Sequence, residues 1–168
     1  MTMSARARKA TLTAHVAVSV GWIGAVVVYL VLGVTAITSE SIQTVRAVWL
    51  AMEAAGWFAI VPLALTSLGT GLIMALGTRW GLFRHYWVLI SFLLTLLSAV
   101  VLVLHMPTVS NQAALAQQSE GVALEALGGD LAHPGVGLVI LLTIQALNMY
   151  KPRGMTRYGW RKQQDKSD

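Results

Sequence analysis

Four long stretches of this sequence carry almost no charge. They run approximately over residues 12–35, 48–76, 86–106 and 135–150, and Glu53 is the only acidic residue inside them. A helix needs about 20 apolar residues to cross the hydrocarbon core of a bilayer. The first three stretches meet that length, and the fourth must gain length from its flanks. The pattern predicts an all-α fold: an integral membrane four-helix bundle that forms a single domain over residues 1–168.

The composition agrees with a membrane setting and narrows the chemistry. Charged residues make up 11% of the 168 residues and hydrophobic residues 56%, whereas soluble domains are about a quarter charged. The chain has no cysteine, which excludes disulfides and sites held by thiolates. It also lacks a glycine-rich phosphate loop and a nucleophile–base motif, so we do not expect a hydrolase or an ATP-driven transporter. Whether the protein is an enzyme stays open.

The lysines and arginines predict an orientation. If the N-terminus is cytoplasmic, Arg46 is the only one of the 12 that falls on the outer side. The others lie in the N-terminal segment, around Arg79 and Arg84, and in the basic tail over residues 151–168. The positive-inside rule then predicts a multi-pass protein of the bacterial plasma membrane with both termini cytoplasmic. The tail predicts contact with anionic membrane lipids, and no nucleic-acid partner.

Prolines and glycines predict where the helices end. Gly77 and Gly81 indicate a tight turn between the second and third spans. Pro107 should end the third span, and Pro134 should be the first residue of the fourth, where its missing N–H costs nothing. Pro62 should kink the second span. In the outer loop, residues 113–127 predict a short surface helix that stops at two glycines.

The four histidines lie at span ends, and the topology pairs them. His15 and His85 fall on the cytoplasmic side, and His105 and His133 on the outer side. Two imidazoles that face each other from neighbouring helices can ligate the iron of a b-type haem from both sides of the porphyrin. The pairs predict haem b and a role in electron transfer, or in a redox complex with other membrane subunits. Because His133 precedes Pro134, we expect it outside helical geometry, reaching inward from the loop.

A second set of side chains predicts copper or zinc instead. Five residues with suitable groups are expected near the outer ends of the spans: Met52, Glu53, His105, Met106 and His133. Imidazole with thioether suits copper(I), and imidazole with carboxylate suits zinc or copper(II). A third hypothesis needs no cofactor: Glu53 pairs with Arg46, and the histidines only form hydrogen bonds at the membrane interface. The protein would then be an accessory membrane subunit.

Several short motifs resemble a family of bacterial, largely actinobacterial, integral membrane proteins whose function is unknown. The motifs are LGTRWGL at 76–82, RHYW at 84–87, LHMP at 104–107 and YKPRGMT at 150–156. The resemblance covers most of the chain and implies a four-span fold without an activity. In the first span, His15, Trp22 and Gly24 are similar to a pattern of CopD-type copper-resistance proteins and of haem-binding membrane oxidases of the protoporphyrinogen pathway. A second glycine often follows that pattern, and Ala25 stands there in this chain.

Overall fold

The computed structural model describes residues 3–78, 80–118 and 129–164. This part of the chain is helical and contains α1 (Ala5–Thr38), α2 (Ile42–Ala55), a π-helical turn (Gly56–Ile60), α3 (Val61–Gly77), α4 (Tyr86–Gln118), α5 (Ala132–Tyr150) and α6 (Arg157–Gln164). Since α2, the π-helical turn and α3 follow without a break, they form one long helix. That helix, α1, α4 and α5 are each long and apolar enough to cross a membrane. The predicted all-helical architecture is confirmed.

The helices form a bundle in which neighbours in sequence are neighbours in space. Both α1 and α4 pack against α2, α3 and α5. At one end, the Met3 N–H donates to the Gly77 carbonyl at 3.1 Å, and the Thr156 N–H donates to the Arg84 carbonyl at 3.0 Å. We call this the termini end, because it carries the N-terminus, the α3–α4 turn and the segment after α5. The opposite end, with the α1–α2 connection and residues 129–131, is the loop end.

Helix α4 is longer than the sequence suggests. The prediction that Pro107 ends it is wrong, because α4 runs through Pro107 to Gln118. Proline in a helix interior costs about 3 kcal/mol, since it removes a hydrogen bond and crowds the preceding turn. The helical turns beyond it bury Val109, Ala113 and Ala116 to 1%, 0% and 0% exposure, and α4 packs on α2. This burial offsets the cost and keeps the helix intact.

The chain accommodates Pro62 through a change of helix type. The π-helical turn at Gly56–Ile60 lies immediately before α3, and Pro62 occupies the first turn of α3. Pro62 therefore follows a local irregularity in the helix, and the predicted kink stays a prediction. Gly56 allows a close approach here, because a Cβ at this position would lie 2.5 Å from Cε of Met106 on α4.

The fourth membrane-length helix begins earlier than predicted. Helix α5 starts at Ala132, so Pro134 is its third residue. The expectation that His133 lies outside helical geometry is therefore wrong: His133 is in the first turn of α5. Proline is tolerated there because the N–H groups of a first turn have no intrahelical partner. The predicted surface helix lies partly outside the described residues, and its first six positions, residues 113–118, belong to α4.

Candidate metal centre

One carboxylate at the loop end joins two histidines from different helices. His105 Nε2 lies 2.6 Å from Asp130 Oδ2, and His133 Nδ1 lies 3.2 Å from Asp130 Oδ1. The side chains of His105 and Asp130 are 16% and 12% exposed, whereas that of His133 is 52% exposed. A carboxylate only accepts hydrogen bonds, so each ring donates through the named nitrogen. We call these three residues the His/Asp cluster.

Two glycines bring Asp130 against α1. A Cβ on Gly33 would lie 2.8 Å from the Asp130 carbonyl oxygen and 2.8 Å from Cδ2 of Leu131. A Cβ on Gly129 would collide with the Gly33 carbonyl oxygen. The backbone before α5 can pass this close to α1 only because neither glycine has a side chain. The contact places the Asp130 carboxylate between the two histidines.

The two imidazoles of the cluster are supplied by facing helices. His105 lies on α4 next to Met106, which is 1% exposed and belongs to the core. His133 lies in the first turn of α5, three residues after Asp130. Its ring stacks on that of His105 with centroids 3.7 Å apart and planes 19° apart. The packing of α5 on α4 therefore sets the distance between the histidines.

A cavity of about 350 Å³ adjoins the cluster between α1, α4 and α5. Its wall includes all three cluster residues together with Trp22 and Tyr29 of α1, whose exposures are 4% and 5%. Most of the remaining wall is aliphatic. Ser98 also lines this cavity, and its buried Oγ has no hydrogen-bond partner among the described residues. The cluster is thus the polar part of a mostly apolar pocket, which we call the loop-end cavity.

The donor atoms of the cluster match the needs of a metal ion. One ligand atom from each of the three residues lies within 4.8 Å of the other two. Atoms bound to one zinc ion lie roughly 3–4 Å apart, since Zn–N and Zn–O bonds are about 2.0–2.2 Å. Binding would require the donor atoms to close to these separations and the stacked rings to turn their in-plane lone pairs towards the ion. Two neutral imidazoles and one carboxylate supply a single negative charge and leave a fourth position for water or another ligand.

The structure separates the other predicted outer ligands. Met106 lines the loop-end cavity, but Met52 and Glu53 are not among the residues around it. Met52 is 0% exposed and packs in the same core cluster as Met106. Glu53 is half-buried on α2. On α2, Arg46 Nε donates to the Ala116 carbonyl of α4 at 2.8 Å, and this bond ties the two helices together.

His15 and His85 lie at the termini end in different surroundings. His15 Nδ1 is 3.0 Å from Thr70 Oγ1 of α3, and His15 lines a second cavity. His85 Nδ1 donates to the Trp80 carbonyl at 2.7 Å, and its ring lies edge-on to that of Trp80 at 5.3 Å. His85 is not part of the wall of that cavity. The structure does not bring these two histidines together as a facing pair.

The geometry of the other pair also bears on haem. Two axial imidazoles approach one iron from opposite sides of a porphyrin, so the macrocycle must lie between them. The rings of His105 and His133 instead contact each other face to face at 3.7 Å. Haem binding by this pair would require the rings to separate by the thickness of a macrocycle, whereas a single metal ion would require them to turn until both in-plane lone pairs meet at one point. Haem b stays a prediction that this arrangement does not favour.

Asp130 is the cluster residue that the sequence motifs do not identify. One signal was available: Asp130 precedes His133 by three residues just before a predicted helix, which is the spacing of one helical turn. Its contact with His105, 25 positions away, depends on tertiary packing.

Comparison with family models, with curated proteins and with solved structures finds no match for this chain. The resemblance to an actinobacterial membrane family therefore remains an expectation from the sequence motifs.

Proposed function

We propose that this chain is a multi-pass protein of a bacterial plasma membrane that binds a divalent transition-metal ion, Zn²⁺ or Cu²⁺, at the outer ends of its helices. The observation that carries the proposal is the Asp130 carboxylate, which lies within hydrogen-bonding distance of the ring nitrogens of both His105 and His133. The loop end faces outward in this arrangement, and both termini are cytoplasmic.

The surface of the bundle supports the membrane part of the proposal. Large apolar side chains are exposed along all four long helices; examples are Val31 at 59%, Leu65 at 51%, Leu104 at 73% and Val139 at 66%. A water-soluble protein rarely exposes apolar patches of this extent. The cation-bearing segments meet at the termini end, as expected if that end faces the cytoplasm.

The donor set supports the choice of metal. Imidazole nitrogen and carboxylate oxygen are ligands that suit zinc and copper(II), whereas copper(I) prefers thiolate or thioether. The exposed side of His133 gives an ion a route to the cluster. Three protein ligands leave an open position, which is typical of catalytic rather than of closed structural zinc sites. Since the side chain of His133 is exposed, the proposed role is capture of the ion at the membrane surface.

Two earlier hypotheses compete with this function. In the cofactor-free hypothesis, the His/Asp cluster is only a tie between α4 and α5, because each of its residues already has a hydrogen-bond partner. In the haem hypothesis, the purified protein carries a b-type haem. An absorption spectrum of the purified protein tests haem, and a metal titration separates an ion site from a structural tie.

The deciding experiment is isothermal titration of metal-free protein with Zn²⁺ and, separately, with Cu²⁺. We expect one equivalent of at least one ion to bind the wild type and to be lost in His105→Ala. The control is His85→Ala, which removes a histidine outside the cluster. Equal binding by both variants, or none by the wild type, would contradict the proposal.

A further inference from the structure

A second cavity lies at the termini end and is distinct from the His/Asp cluster. Its volume is about 740 Å³, and α1, α3, α4 and α5 all contribute to its wall. We propose that this termini-end cavity binds an amphipathic organic anion, with its acidic group at the cavity rim and its apolar body between the helices. The inference concerns a second ligand and does not depend on metal binding.

The charge of the cavity favours an anion. Arg8 and Lys9 of α1 and Lys151 after α5 line it, and its described wall residues include no Asp or Glu. Lys151 Nζ lies 5.5 Å from the ring centroid of Trp80, which also lines the cavity. Three cations without a carboxylate attract an acidic group and repel a metal cation.

His15 gives the cavity a ring that can form a hydrogen bond with a ligand. Its Nδ1 lies 3.0 Å from the Thr70 hydroxyl oxygen, which also lies 2.7 Å from the Thr66 carbonyl. In either neutral tautomer, one ring nitrogen carries the proton and the other a lone pair. A ligand hydroxyl both donates and accepts, so it can pair with Nε2 in either tautomer.

Ser91 of α4 provides a second polar contact that lacks a partner. It is 6% exposed and lines the cavity, and within the described part of the chain its Oγ has no hydrogen-bond partner. An unpaired buried hydroxyl costs about 1–3 kcal/mol. A ligand with a polar group on the part of its body that lies between the helices would form a hydrogen bond with this hydroxyl. The Ser91 observation is independent of the charge at the rim.

The rest of the wall suits an apolar body. Aromatic side chains of Trp22, Trp87 and Phe92 line the cavity together with aliphatic residues. His15 follows Arg8 by seven residues, which is roughly 10 Å along a helix at 1.5 Å per residue. The expected ligand therefore has an acidic end, an apolar chain or ring, and a hydroxyl group about 10 Å from the acid.

Native mass spectrometry of the purified full chain in neutral detergent tests this inference with three matched probes. Oleate carries an acid, oleyl alcohol lacks it, and ricinoleate adds a hydroxyl to the acid. We expect one equivalent of oleate to bind about tenfold more tightly than oleyl alcohol, since cations at a membrane surface contribute at this scale. Ricinoleate should bind more tightly than oleate in the wild type and no more tightly in His15→Phe.

Two double variants remove the same charge from different places at the termini end. Arg8→Gln with Lys9→Gln removes cations of the cavity rim, and we expect oleate to bind about tenfold more weakly. Arg157→Gln with Arg161→Gln removes exposed cations of α6 that do not line the cavity, and binding should persist. Competition with bound oleate by phosphatidylglycerol, with phosphatidylcholine as the control, tests whether the natural ligand is an anionic membrane lipid or a free acid.

Thermal unfolding of every variant shows whether a loss of oleate binding reflects a loss of folding. Selective loss in the rim variant supports the proposal, as does displacement of oleate by phosphatidylglycerol. Equal affinity for oleate and oleyl alcohol would overturn it. Equal loss in both double variants would also overturn it, because the anion would then be held by the general charge of this end.

Discussion

The imidazoles of His105 and His133 stack face to face, with centroids 3.7 Å apart. The contact brings together one ring from the middle of α4 and one from the first turn of α5. The Asp130 carboxylate accepts a hydrogen bond from a ring nitrogen of each histidine, so these two N–H groups are paired next to a mostly apolar cavity. An ion that binds here would replace the ring N–H protons that now point at the carboxylate.

Asp130→Asn should abolish high-affinity metal binding. The amide keeps the shape of the side chain but removes its negative charge, so we expect a loss of at least about 100-fold in affinity for Zn²⁺ or Cu²⁺. Calorimetric titration measures the change. Glu53→Gln is the matched control. It neutralises the only acid in the apolar tracts, and Glu53 does not line the loop-end cavity. An unchanged affinity in Asp130→Asn would exclude the carboxylate as a ligand.

Metal binding should weaken in acid. A protonated imidazole has no free lone pair on either nitrogen, so protons compete with the ion for both rings. Calorimetric titrations at several pH values measure the change in affinity. We expect a lower affinity at pH 5.5 than at pH 7.5. An affinity that does not change with pH would indicate ligands other than these histidines.

Gly33→Ala should disturb the cluster from a distance. The new Cβ would lie 2.8 Å from the Asp130 carbonyl oxygen, and relieving such overpacking typically costs about 1–3 kcal/mol. We expect a lower thermal-unfolding midpoint and weaker metal binding, because the segment that carries Asp130 must move away from α1. Gly24→Ala on the same helix is the control, since a Cβ there meets nothing within 4 Å. Equal behaviour of the two variants would contradict the close approach.

Met106→Leu should leave metal binding intact. Met106 is 1% exposed within the core, and a volume-conserving exchange usually costs less than about 1.5 kcal/mol. If imidazole and carboxylate are the only ligands, the affinity for Zn²⁺ or Cu²⁺ should not change. Selective loss of copper(I) binding in this variant would instead identify the thioether as a ligand.

Two serine-to-cysteine variants test the orientation on a background without native cysteine. Ser4 caps α1 and Ser41 caps α2, each by accepting a backbone N–H, so the variants lose equivalent caps at opposite ends of the bundle. In intact cells we expect an impermeant thiol reagent to label Ser41→Cys and to spare Ser4→Cys. The reverse pattern would place the His/Asp cluster in the cytoplasm.

The sequence predicts the helical architecture well because its signals are long and local. Each apolar tract corresponds to one membrane-length helix, and the cation-rich segments meet at one end of the bundle as the charge pattern requires. The helix boundaries are less well predicted. Pro107 is a strong local stop signal, but the burial of Val109 and Ala113 against α2 outweighs it. A contact with another helix leaves no trace in the local pattern.

The candidate site shows the same difference between local signals and tertiary contacts. The sequence by itself determined the number of membrane-length helices, their alternating direction and the placement of His105 and His133 at the same end, since hydrophobicity and charge act locally along the chain. Only the tertiary structure decided that Asp130 joins them, that Glu53 stays outside the cavity and that His15 and His85 do not face each other. Those contacts depend on how far α5 can approach α1 and α4, and two glycines, Gly33 and Gly129, set that distance through the side chains that they lack.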